Sequence, residues 1–103
     1  MSKKLYVIVP ETLSTPQKAV QGGHAIADFM IRNPESEWRG HSLIFLTVPN
    51  DEALGELFDK SQSWCRCEIG WFNEPYWNNK LTALTIFGDD ASDKLRTLPL
   101  MRG

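Results

Sequence analysis

KLYVIVPETLSTPQKAVQGGHAIADFMIRNP, residues 4–34, is the stretch on which the fold turns. After Lys4 the chain is aliphatic, aromatic or β-branched as far as Val9, which reads as a buried strand. Pro10 ends it, because proline has no amide hydrogen to give to a ladder. ETLST follows as a loop. Thr15 stands before Pro16, so Thr15 is the expected N-cap and Pro16 the first helical residue. The helix is predicted to run to about Arg32, where Asn33-Pro34 stops it. Ala19, Gly23, Ile26 and Met30 recur at helical spacing and are expected to face the sheet, with Val20 and Phe29 widening the stripe.

Working outward, SLIFLTV at 42–48 is a second buried strand closed by Pro49. Asn50 is the expected cap of a second helix, whose first turn carries Asp51 and Glu52, the charge that suits that end. Leu54, Leu57 and Phe58 are its apolar positions. CRCEIGWF at 65–72 alternates like a strand, NEPYWNN at 73–79 reads as a turn-rich loop, and LTALTIF at 81–87 is the last strand. ASDKLRTL at 91–98 is a short closing helix. The order β-α-β-α-β-β-α makes this an α/β layered domain over residues 1–103, with no internal repeat or linker. The first β-α-β unit is long enough for a right-handed crossover.

The bulk numbers bound the function. A net charge of −2 is not the basic field of a protein that grips nucleic acid electrostatically. No apolar run is long enough to span a membrane, and MSKKLYVIVP is too short in its apolar part for a signal peptide. Cys65 and Cys67, spaced C-x-C, read as free thiols of a reducing cytoplasmic setting, since a disulfide across one residue is awkward. His24 and His41 are the only histidines to join them, so neither a metal nor another cofactor is expected.

Two adjacent glycines inside a helix ask for an explanation, because each costs about 1 kcal/mol relative to alanine. Gln17, Gln21 and His24 are spaced to share one side of the first helix. Gly23 falls on the expected sheet-facing stripe. Gly22 falls off it, beside a cleft at the strand carboxyl ends where ligands of open α/β sheets bind. The helix N-terminus would offer free N–H groups there to an anion.

The run PQKAVQGGHA at 16–25, set between two strands, resembles the helix of the type 2 peptidyl-tRNA hydrolase family, with its G-K-x-A-A-Q-x-x-H-A pattern. Ala19, Gln21, His24 and Ala25 fall on that pattern. FNEPYWNNKLTAL at 72–84 resembles the family's loop and last strand, most like a short bacterial and phage-type branch. The resemblance implies a three-layer domain with a mixed four-stranded sheet and helices on both faces, a homodimer, and no cofactor. It implies hydrolysis of the ester between a peptide and tRNA. Carried over by residue, the family lysine falls on Gln17, with Lys18 one step on, and the aspartate and threonine of the loop are replaced by G-W-F-N-E at 70–74. Thr82 matches a threonine of the last strand.

His24, Glu74, Lys18 and Gln17 are therefore the candidate catalytic groups, for orienting a water or facing an oxyanion. Gln21, Gly22, Thr82, Asn73 and Trp77 are the candidate substrate contacts. The partner is tRNA or a small ester ligand. An enzyme predicts an open, electropositive cleft around Gln17, Gln21, His24 and Glu74. A binding module that keeps the fold without the chemistry predicts a filled or acidic one. An interaction protein working through the Trp-rich loop predicts an apolar patch at 71–77.

Overall fold

Alternation along the first strand sets up the layers. In the computed structural model, which describes residues 4–102, β1 (Lys4–Pro10) turns Leu5, Val7 and Val9 to one face of the sheet and Tyr6 and Ile8 to the other. Met1 to Lys3, where the signal-peptide reading of the N-terminus begins, lie outside the described residues. The remaining elements are α1 (Thr15–Arg32), β2 (Ser42–Val48), α2 (Asp51–Ser61), β3 (Cys67–Glu74), β4 (Lys80–Gly88) and α3 (Ala91–Lys94), with a 3-10 turn at Pro75–Trp77. The sheet order is β2-β1-β4-β3. β1 and β2 run parallel, as their crossover helix requires, and β4 is antiparallel to both β1 and β3.

The chain is a mixed-sheet α/β protein with the expected element order. On one face Ala25 and Phe29 of α1 pack on Leu5, Val7, Val9, Ala83 and Phe87. On the other, Leu54 of α2 and Ala91 and Leu95 of the closing segment pack on Tyr6, Ile8, Leu84 and Ile86. Asn50 caps α2 as expected, its side chain accepting from the Ala53 N–H at 2.9 Å. No helix among the described residues is long and apolar enough to cross a membrane.

Several expectations need correction. Ser14, not Thr15, is the N-cap of α1: its hydroxyl accepts from the Gln17 N–H, while the Gln17 side chain accepts from the Ser14 N–H, each at 3.2 Å. The buried side of α1 is Lys18, Gln21, Gly22, Ala25 and Phe29. Ala19, Val20 and Gly23 are exposed, and Ile26 and Met30 only half-buried. β3 runs two residues later than expected, and α3 is a single turn rather than 91–98.

Glycines explain the rotation of α1. A Cβ on Gly22 would stand 2.4 Å from Phe45 Cε2 of β2, whereas one on Gly23 would meet nothing within 4 Å. The two roles are thus the reverse of those expected: Gly22 is the packing glycine and does not line a cleft. Gly70 of β3 faces the same helix, and a Cβ there would stand 2.6 Å from the Phe29 Cα. The helix settles where both glycines admit a neighbour.

Both sheet edges are covered. Thr47 N–H donates to Pro99 O (3.0 Å) and Met101 N–H to Phe45 O (2.9 Å), so the C-terminal tail lies along β2. On β3, Asp28 of α1 accepts from the Trp71 N–H at 2.9 Å and Asn33 Nδ2 donates to Ile69 O at 3.0 Å.

Candidate functional site

The register of β4 against β3 is interrupted at one place. Phe72 pairs with Ala83 and Asn73 with Leu81, so Thr82 is an extra residue in the ladder. Such a bulge re-aims a side chain. Strict alternation would send Thr82 to the α2 face with Leu84 and Ile86. The bulge sends its hydroxyl to α1, where it donates to Gln21 Oε1 at 2.5 Å.

Gln21 passes the polarity on. Its Nε2 donates to Glu74 Oε1 at 2.8 Å, and Glu74 Oε2 accepts from the Tyr76 N–H at 3.3 Å. The amide orientation follows from the partners, because the flipped form would set the Gln21 oxygen against the carboxylate. Thr82, Gln21 and Glu74 are 1%, 3% and 8% exposed, so this is an interior network that ties α1 to the end of β3 and to the bulge. Glu74 also shapes the chain after it. Its side chain caps the 3-10 turn, its carbonyl accepts from the Asn79 N–H at 2.9 Å, and Asn78 and Asn79 follow at φ 54° and 58°.

A second polar group lies at the carboxyl end of β1. Lys18 is 3% exposed, and its Nζ stands 2.8 Å from Oε1 of Glu11. The Lys18 hydrogen bond and that of the Thr47 hydroxyl hold the Glu11 carboxyl below its usual range. Thr47 is the residue whose N–H holds the tail, so tail, β2, Glu11 and Lys18 are linked in series. Composition at the strand end carries no sign of Glu11's importance. The one available hint is its place, directly after the strand and before a helix whose first buried side chain is a lysine.

The remaining candidates sit elsewhere. Gln17 spends its side chain on the capping box at the surface, which also means that the α1 N-terminus is closed by its own residues rather than left open for an anion. His24 is exposed and stacks flat on Phe72, ring centroids 4.3 Å apart and 11° between planes. Gln17, Gln21, His24 and Glu74 therefore do not line one open cleft. Asn73 is exposed and its Nδ2 donates to Asn79 O at 3.1 Å. Trp71 packs edge-on against Phe58 and lies under Arg32, so within residues 71–77 the exposed large hydrophobics are Tyr76 and Trp77.

An open cleft of about 420 Å³ does exist at the carboxyl ends of β1 and β2. Thr12, Leu13, Gln17, Asn50, Asp51, Trp77 and Lys80 line it, and Lys80 is paired with Asp51 across it. This is where a parallel β-α-β unit offers a ligand site. Gln17 and Trp77 reach it from the expected set. Outside its lining, Glu74 has carboxylate lone pairs beyond the two contacts it makes and can accept from a water. Lys18 supplies positive charge next to an ionised Glu11. Among the described residues, no cluster of three or more His, Cys, Asp or Glu side chains is arranged to hold a metal ion. Compared with known proteins, the chain matches no protein-family model and no curated protein.

Proposed function

We propose that the chain is a peptidyl-tRNA hydrolase-like protein, cleaving the ester between a peptide or N-blocked amino acid and tRNA. One observation carries this reading. The two sequence segments that resemble the family are joined side chain to side chain, Gln21 of the first bonding Glu74 and Thr82 of the second. In the reaction a water oxygen adds to the acyl carbon and the bond to the ribose oxygen breaks. The water proton passes to a base and then to the departing ribose oxygen. We assign Glu74, held by Gln21, to accept that proton, and Lys18 to face the developing oxyanion. His24 on its Phe72 platform, with Asn73 and Trp77, are surface contacts for the substrate. A homodimer and a cytoplasmic setting belong to the same proposal.

Single-turnover hydrolysis of an N-blocked aminoacyl-tRNA tests it. Wild-type turnover should fall at least tenfold in Glu74→Gln and in Lys18→Ala, in keeping with the ~10²–10⁴-fold typical of acid–base groups. Folded wild-type protein that releases no amino acid ends the proposal. A second reading, a binding module without chemistry, is favoured by the burial of Gln21, Glu74 and Thr82 among one another. It expects binding of the tRNA with no turnover.

A further inference from the structure

The turn after β3 displays two aromatic rings, one almost wholly and one partly open to solvent. Tyr76 is 93% exposed and Trp77, the next residue, 36% exposed, and Trp77 lines the cleft. Apolar aromatic surface this open is normally withdrawn from water. Here it is held out on a frame: the Glu74 side chain and carbonyl bind the Tyr76 and Asn79 N–H groups, and Asn73 binds the Asn79 carbonyl. Rings on a fixed frame lose little conformational freedom on binding.

The surroundings of the rings select among ligands. Residues 73–80 read NEPYWNNK, so the rings are flanked by the amides of Asn73, Asn78 and Asn79, all exposed. That is not the apolar collar that dries a protein–protein hot spot. Lys80 is the single basic residue of the segment, and it is paired with Asp51. A duplex, bound through many phosphates, finds no basic track here. An unpaired base needs only an aromatic face, and the neighbouring amides can meet its edge.

We infer that the Tyr76–Trp77 turn is a stacking platform for the unpaired bases at the end of a nucleic-acid strand, with Trp77 holding the base nearer the cleft. The inference rests on the proposed function for the choice of strand, the single-stranded 3′ CCA end that carries the ester. It deepens that reading by assigning recognition of the tRNA to stacking rather than to phosphate contacts.

The test is an NMR titration of the ¹⁵N-labelled protein with the RNA trinucleotide CCA, beside the hydrolysis assay. Shifts are expected in the backbone amides of residues 73–80 and in the Trp77 indole. Tyr76→Ala and Trp77→Ala should each weaken binding about 5-fold or more, the range expected of one stacked base. With at most one phosphate neutralised, raising salt from about 50 to 200 mM should weaken binding no more than about threefold. Tyr76 is a surface residue, so Tyr76→Ala keeps the test decisive if Trp77→Ala disturbs the fold. Absence of shifts at millimolar CCA overturns the inference. So does binding that is unchanged in Tyr76→Ala, or that falls more than tenfold with salt. The two readings fail separately. Hydrolysis without CCA-induced shifts removes the platform and keeps the enzyme. CCA binding without hydrolysis keeps the platform and removes the enzyme.

Discussion

Alanine at Gly22 and at Gly23 should move stability in opposite directions, although the two positions are adjacent in one helix. Both substitutions gain the same helix propensity, about 1 kcal/mol. At Gly23 that gain is realised, since a Cβ there meets nothing within 4 Å. At Gly22 the new carbon would stand 2.4 and 2.9 Å from Phe45 Cε2 and Cζ and 3.1 Å from Val7 Cγ1. Carbon atoms pack best at about 3.5–4.0 Å, so the phenyl ring must move or the helix must lift. Overpacking of this kind costs about 1–3 kcal/mol. The propensity gain cancels between the two variants, and that cost is the expected gap between them. Urea unfolding followed by circular dichroism measures it, with equal m-values as the condition for comparing midpoints. In a domain of this size each kcal/mol is a shift of about 4–8 °C in Tm, so the order should also be plain on heating. Gly22→Ala matching Gly23→Ala within about 0.3 kcal/mol would refute the assignment of Gly22 to the packed face. Phe45→Leu placed on top of Gly22→Ala should recover part of the loss, because it removes the atoms that collide.

Gly70→Ala should be more damaging than either α1 glycine substitution. Its Cβ would meet the Phe29 Cα and the Thr85 Oγ1, at 2.6 and 2.5 Å, and a backbone cannot rotate away. A loss of more than about 3 kcal/mol in urea unfolding is expected, and a loss below 1 kcal/mol counts against the close approach of α1 to β3. Thr82→Val removes the donor to Gln21 inside a buried network and should cost about 1–3 kcal/mol; a neutral result would mean that the bulge does not point Thr82 at α1. Glu11 gives a pH signature. Its carboxyl is held below the usual 4.5 by Lys18 and then Thr47, so its contribution is complete above about pH 4.5 and disappears as the pH falls through the lower folded value. Stability profiles of wild type and Glu11→Gln should therefore differ near neutrality and converge in acid, and a constant offset at all pH values contradicts the pairing. Burial, and next the charge of Asp90, push the Cys67 thiol up, whereas Cys65 is exposed. Iodoacetamide at mildly alkaline pH should label Cys65 first by peptide mass analysis, and equal rates argue against that difference.

The pattern of residues reaches a definite depth and then stops. Strand β2 is legible because SLIFLTV is an unbroken β-branched and aliphatic run between a polar segment and a proline. α2 is legible because Asn50 and two acidic residues mark its start. These are local effects, settled within a turn or two of chain. The α1 cap lies one residue before the expected Thr15 because Ser14 and Thr15 offer the same chemistry, and only the Gln17 side chain folding back on Ser14 decides between them.

What the sequence determines by itself is the order of elements and the two-sided burial of β1, since each follows from short-range sterics and from a period of two. The rotation of α1 is decided only by the tertiary structure. Its residues are apolar on most sides, so periodicity allows more than one face to seek the sheet. The choice falls to Gly22 meeting Phe45 and to Gly70 meeting Phe29, contacts between segments far apart in the chain. The candidate site is decided in the same way. Gln21 finds Glu74 53 residues away and Thr82 61 residues away, the latter only because a bulge turns a side chain that alternation would have sent to the opposite layer. A one-residue irregularity in a ladder leaves no mark in composition or spacing, and it is the step that assembles the polar network.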